Sequence, residues 1–175
     1  MKTYLQLFIA FIIALGLDIL TKFWAIETLT PYRPAPIIGD FFRWTLGFNT
    51  GVAFSKFTNS GSWLLVITGV IIVGLAIWTI RSLQSGELPP IGAWPVGFIL
   101  GGATGNYLNR LINGSVVDFN DVGLGATRWP AFNAADSFIV VGIIWLVLIR
   151  LKTPEPQTDE VEPVIEEIQE EEPTL

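Results

Sequence analysis

The chain of 175 residues contains no histidine and no cysteine. Without an imidazole there is no serine–histidine triad, and without a thiol there is neither a cysteine nucleophile nor the usual zinc ligand set. No disulfide supports the fold. Any catalysis therefore falls to carboxylates. Charge is scarce too, at 15% of the residues, and unevenly spread: nine of the sixteen Asp and Glu lie between Glu155 and Glu172. The preceding chain is mildly basic, so the net charge of −6 belongs to the tail.

Apolar residues make up 51% of the chain, with seven tryptophans and a positive mean hydropathy, which places it among integral membrane proteins. Crossing a hydrocarbon core of about 30 Å takes roughly 20 residues at about 1.5 Å each. Four stretches are expected to span: 4–25, 63–80, 91–112 and 134–150. The first follows Lys2 like a secretory signal, but its apolar run continues through Leu20 with no small-residue cleavage site, so it reads as retained. Residues 1–152 form one membrane domain. The remainder, 153–175, mixes proline with acid and has too few apolar groups to offset the entropy of ordering. It is expected to be a disordered cytoplasmic extension, with a partner for the acidic tail as the alternative.

Four spans put both termini on one side and the two longer connections, 26–62 and 113–133, on the other. Lysine and arginine counts tie between the sides and leave the orientation open. In the first connection Pro31, Pro34 and Pro36 forbid a continuing helix. The pattern then changes period: Phe42, Trp44, Leu46 and Phe48 alternate with Arg43, Thr45, Gly47 and Asn49, the two-residue repeat of a strand. A small antiparallel sheet is expected over about 37–58 and 114–122. Its second strand is placed at Ser115 to Phe119, closed by Asn120 and Asp121 and then by Gly123 and Gly125. Trp24, Trp63 and Trp129 fall at the same interface.

The third span repeats glycine every four residues at Gly97, Gly101 and Gly105, which lets helix backbones approach closely in lipid. Asn106, Asn109 and Arg110 follow on one helical face. So close to hydrocarbon, Arg110 needs a partner, either a carboxylate or the carbonyls of a substrate. In the first span Asp18 and Lys22 stand one turn apart and are read as a structural ion pair. Two more aspartates sit in polar islands, G-S-V-V-D-F-N around Asp118 and F-N-A-A-D-S around Asp136. Taken alone, Asp136 also reads as a cap at the start of the fourth span, and Asp118 as a turn residue beside Asp121. Gly51 reads as a turn glycine.

The blocks L-D-I-L-T-K, F-N-T-G-V-A-F-S, G-G-A-T-G-N-Y-L-N-R leading into G-S-V-V-D-F, and F-N-A-A-D-S together resemble the signatures of the lipoprotein signal peptidase family, signal peptidase II. The resemblance covers roughly residues 18–142, in the family's order. It implies a multi-pass aspartic endopeptidase of the bacterial inner membrane that removes signal peptides from diacylglyceryl-modified prolipoproteins, cutting before the lipidated cysteine. It further implies four helices with a small sheet and a short helical segment on the periplasmic side, and cytoplasmic termini. The catalytic aspartates of the family fall on Asp118 and Asp136. Site-supporting or substrate-binding positions fall on Asn49, Gly51, Asn106, Arg110 and Asn133, and positions that support the fold or the edge of the active site on Asp18 and Lys22. One position departs from the pattern: Asn109 stands where the family commonly has an aspartate, which leaves Arg110 without that counter-ion, although the amide can still accept a bond from it.

The residue types suit that chemistry. Two neighbouring carboxylates do not both ionise easily, so one keeps a proton while the other draws a proton from water. No metal or cofactor is required, and the implied partners are the lipidated substrate and membrane lipid, with no nucleic acid. A transporter using the same charges is the rival, but they cluster at one interface and the two halves show no inverted repeat.

Overall fold

An apolar run free of proline before residue 31 lets the first helix, α1 (Lys2–Thr28), extend for 27 residues, about 40 Å at about 1.5 Å per residue. At Leu29 the chain turns extended (φ −101°, ψ 140°) as the prolines approach. The structure, a computed structural model, describes residues 1–51 and 61–152. Part of the expected sheet region, 52–58, and the acidic tail, 153–175, lie outside the described residues.

After α1 come β1 (Ala35–Ile38), β2 (Phe42–Asn49) and α2 (Gly61–Ser85). A single 3-10 turn (Pro90–Gly92) leads into α3 (Ala93–Asn113), followed by β3 (Val116–Leu124), β4 (Thr127–Arg128) and α4 (Ala134–Lys152). The helices α1 and α2 overrun their expected spans at both ends, since intrahelical hydrogen bonding does not stop where the apolar run does. By length and composition α1, α2 from Trp63 and α4 can cross a membrane. The third expected span, carried by α3, is not among them. Its hydropathy is diluted by glycines and by Asn106 and Asn109, and it packs against α1, α2 and α4, with Val96, Gly97, Leu100 and Gly101 buried.

Small residues set the packing. Buried Ala10, Ala14, Asp18, Lys22 and Ala25 form one line along α1, and α3 meets it with glycine. A Cβ placed on Gly101 would sit 2.5 Å from the Phe11 carbonyl, and one on Gly97 2.6 Å from Ala10 Cβ. Gly105 lies against the Asp18 carboxylate. The two helices therefore run parallel, whereas α4 runs antiparallel to α3, with Gly102 against Ala135 and Gly142 against Pro95 and Ile99. The close approach expected from the glycine spacing is present. Gly114 ends α3 in the left-handed region (φ 69°), its N–H donating to the Arg110 carbonyl at 2.9 Å.

The strands form one antiparallel sheet in the order β1-β2-β3-β4. The alternation in β2 is thus realised as a strand, with a bulge between Trp44 and Gly47 that brings Gly47 opposite Asp118. Leu46, Val117 and Phe119 pack on Ala25 of α1, and Trp24 meets Trp44 edge-on at 4.6 Å. Trp24 is thereby partly buried, while Trp129 is exposed. The short helical segment expected beside the sheet is absent among the described residues. The 3-10 turn lies instead at the opposite end of the bundle, where Pro89 and Pro90 lead from α2 to α3.

The strand β3 also runs further than expected. Asn120 and Asp121 do not close it; they pair with Trp44 and Arg43, and the turn falls at Gly125 (φ 54°). The reason lies in the Asp121 side chain. Its Oδ2 accepts from Arg43 Nη2 (2.7 Å), Arg43 Nε (2.9 Å) and Thr45 Oγ1 (2.9 Å), and its Oδ1 from Arg128 Nε (2.8 Å). Arg128 Nη1 donates in turn to the Asp40 carbonyl at 2.6 Å. Burial pushes the Asp121 carboxyl up, but the bonds from Arg128, Arg43 and Thr45 outweigh it and hold it below the ordinary value of 3.8. A group depressed in the folded state stabilises above its unfolded value, and that contribution is lost as pH falls through the folded one. Thermal melts in detergent should therefore show Asp121→Asn less stable than wild type at neutral pH, with the gap closing in acid. An equal gap at both pH values would show that the charge itself contributes nothing.

Candidate active site

At the sheet end of the bundle, α4 begins with a reciprocal cap. Asn133 Oδ1 accepts from the Asp136 N–H and Asp136 Oδ2 from the Asn133 N–H, both at 3.1 Å. Asp136 is thus a helix cap, and its other oxygen, Oδ1, accepts from Asn106 Nδ2 of α3 at 2.8 Å. The residues before the cap are tied to β3, Asn120 N–H donating to the Phe132 carbonyl at 2.8 Å. That tie brings Asp118 and Asp136 to the same place.

Asp118, 3% exposed, projects from β3. Its Oδ1 accepts from Asn133 Nδ2 at 2.8 Å and its Oδ2 from Asn49 Nδ2 of β2 at 3.0 Å. Gly51, at φ 79°, donates its N–H to Asn49 Oδ1 at 2.9 Å, which leaves the amide nitrogen free for Asp118. Asn133, fully buried, reaches both aspartates, and its Nδ2 also donates to the Val117 carbonyl and to Asn106 Oδ1, each at 3.1 Å. Behind this layer Lys22 Nζ donates to Asp18 Oδ2 at 2.7 Å and to Asn106 Oδ1 at 2.8 Å. Asp18 Oδ1 accepts the Ala135 N–H at 3.0 Å.

Burial is the largest influence on Asp118. With the charge of Asp136 nearby it outweighs the bonds from Asn49 and Asn133 and pushes the carboxyl up to about 6. Asp136 is only partly buried and lines a groove of 370 Å³ with Trp129, Phe132 and Val140. A larger groove, 690 Å³, is walled by Trp24, Phe42, Trp44 and Phe119 from one side and Phe98 and Phe138 from the other. The two grooves share Ser137 and Val141. One aspartate is therefore enclosed and the other opens on apolar space.

Of the site residues expected from the sequence, Asp118, Asp136, Asn49, Gly51, Asn106, Asn133, Asp18 and Lys22 join one hydrogen-bonded network. Arg110 stands outside it: its Nε is buried without a partner among the described residues. Nor does Asn109 accept a bond from Arg110. Its Oδ1 takes the Val117 N–H at 2.7 Å, because β3 starts within its reach once Gly114 has turned the chain. The sequence reading does not single out Phe98, Phe138 or Val141, although aromatic and apolar residues flank the polar island around Asp136 at helical spacing.

Comparison with known proteins agrees across sequence and structure. Residues 10–152 match the profile of the family described as Signal peptidase (SPase) II. The lipoprotein signal peptidase of Xanthomonas euvesicatoria is 37% identical over 148 residues, which cover 80% of this chain and 82% of that protein. That of Xylella fastidiosa is 36% identical over 145 residues, covering 78% and 83%. A solved bacterial membrane enzyme, determined by the in meso method, superposes with a TM-score of 0.69 at 26% identity, covering 92% of this chain and 94% of its own. The chain belongs to the signal peptidase II family and is an aspartic endopeptidase of that class.

Proposed function

We propose that the chain removes signal peptides from diacylglyceryl-modified bacterial prolipoproteins, with Asp118 and Asp136 as the reacting pair, cutting before the lipidated cysteine. The observation that carries this reading is the pair itself: two carboxylates on different elements, bridged by Asn133, one enclosed and one facing a groove. Asp118, pushed up to about 6, is the member that keeps a proton. Asp136 then draws a proton from the attacking water while Asp118 hydrogen-bonds the carbonyl oxygen as it gains negative charge. No covalent intermediate is needed.

The joined grooves suit the lipid. Their aromatic walls lead to Ser137, the neighbour of Asp136, so acyl chains can remain in apolar surroundings while the peptide reaches the carboxylates. The reading places the protein in a bacterial inner membrane with α1 to α4 all spanning, α3 shielded from lipid by its neighbours. Both termini are then cytoplasmic and the sheet and aspartates lie on the periplasmic side. Arg110, whose Nε has no partner among the described residues, is available to substrate carbonyls.

Purified protein in detergent, given a diacylglyceryl-modified prolipoprotein, should cleave it before the modified cysteine. Asp118→Asn and Asp136→Asn should each abolish turnover while melting near the wild type, since asparagine caps a helix nearly as well as aspartate. Turnover surviving in either folded variant would break the pair. The profile of kcat/KM against pH should be bell-shaped, its alkaline limb reporting proton loss from Asp118 near pH 6 rather than in the ordinary carboxylate range. A profile flat through that region would remove Asp118 as the proton holder. For the groove, Phe42→Glu should raise KM for the lipidated substrate with kcat largely kept, and an unchanged KM would move the lipid elsewhere.

A further inference from the structure

Each oxygen of the two carboxylates meets an N–H group. Asn49 Nδ2 and Asn133 Nδ2 donate to Asp118, and Asn106 Nδ2 and the Asn133 main chain to Asp136. A carboxamide has a donor end and an acceptor end, so something must decide which end faces an aspartate. For Asn106 the decision is made by Lys22. An ammonium has donors only, so the end it meets at 2.8 Å is Asn106 Oδ1, and the amide nitrogen is left for Asp136. Asn133 is fixed independently, its Oδ1 accepting the Asp136 N–H, and its Nδ2 reaches the same Asn106 Oδ1 at 3.1 Å and Asp118 at 2.8 Å. Lys22 is 5% exposed and held by Asp18, whose second oxygen is fixed by the Ala135 N–H of α4.

We propose that Lys22 is a positioning residue of the reaction: its ammonium fixes the direction of the Asn106 carboxamide, so that an N–H group and not a carbonyl oxygen faces Asp136 Oδ1. The proposal rests on the reading of those aspartates as the reacting pair. Without the ammonium, the Asn106 carboxamide is free to turn its oxygen toward Asp136. That contact is satisfied only when Asp136 carries a proton, and a protonated Asp136 draws none from water. Among the described residues the charged groups about Asp136 are Asp18 and Lys22 from α1 and Asp118 from β3. Arg110 on α3 makes no hydrogen bond or ion pair with any of them, and the next charged residue on α4 is Arg150.

The pH dependence of kcat/KM tests this in two variants of the full chain. Lys22→Met removes the donor, and Asp18→Asn/Lys22→Met removes it without leaving a lone buried charge, which keeps the protein foldable. In both, the acidic limb should move to higher pH by about one unit or more. Lys22→Gln, which can hydrogen-bond but is not confined to donating, should give a shift of the same sign where a methionine variant does not fold. Lys22→Arg, again donor-only, should leave the limb in place at whatever rate it retains. A purely structural Lys22 would lower the folded fraction and the rate equally at every pH, so an unmoved limb in the methionine variants overturns the proposal. The two readings fail separately: an active Asp136→Asn sinks the aspartate pair, whereas an inactive Asp136→Asn beside an unmoved limb sinks the role of Lys22 alone.

Discussion

At Gly97, Gly101 and Gly105 the backbone of α3 lies so near α1 that a methyl group has no room, and the polar layer above depends on that approach. Glycine inside a helix costs about 1 kcal/mol relative to alanine, and in lipid the compensation comes from packing of backbone on backbone. Here the close contact also puts Asp18 alongside Gly105, one residue before Asn106. Were α1 held off by the width of a side chain, the Lys22 ammonium would not reach Asn106 at 2.8 Å, and a buried charge would lose its second partner. Helix packing and the polar network are thus one design, with the glycines setting a distance and the ion pair filling it.

Asn133 joins the other half. Its main chain and side chain cap α4, hold Asp118, and meet Asn106. The capping and chemical readings of Asp136 therefore do not compete, since one oxygen serves the helix start and the other faces Asn106. The network contains three carboxamides able to both give and accept, Asn49, Asn106 and Asn133, and each turns its oxygen toward a donor-only group: the Gly51 N–H, the Lys22 ammonium and the Asp136 N–H. Backbone and amide N–H groups, together with a donor-only cation, leave the carboxylates as the places where acceptance ends.

Much of the fold is legible because it is written locally. Long apolar runs give α1, α2 and α4, the two-residue period from Phe42 to Asn49 gives β2, and the four-residue glycine spacing announces the approach of α3 to its neighbours. What is not legible depends on partners distant in the chain. Asp121 looks like a turn residue because the arginine that keeps it in a strand, Arg43, is 78 positions away. The low hydropathy of α3 makes sense only once its neighbours are known to be helices. In the candidate site the resemblance picks out residue types, but the link from Asn49 to Asp118 crosses 69 positions, and the neutral bond from Val117 to Asn109 has no signature in spacing at all. With Asn109 engaged there, the Arg110 Nε has no partner among the described residues.

The strand β3 is held near its two ends by bonds of different kinds. Near its start, the Val117 N–H meets a carboxamide, a contact with no charge to titrate and none for salt to screen. Toward its far end Asp121 is gripped by two guanidinium groups, a contact open to both influences. Concentrated electrolyte at the surface therefore loosens the sheet from its outer corner inward, and the start of the strand, held by the uncharged bond to Asn109, is the last part to feel it.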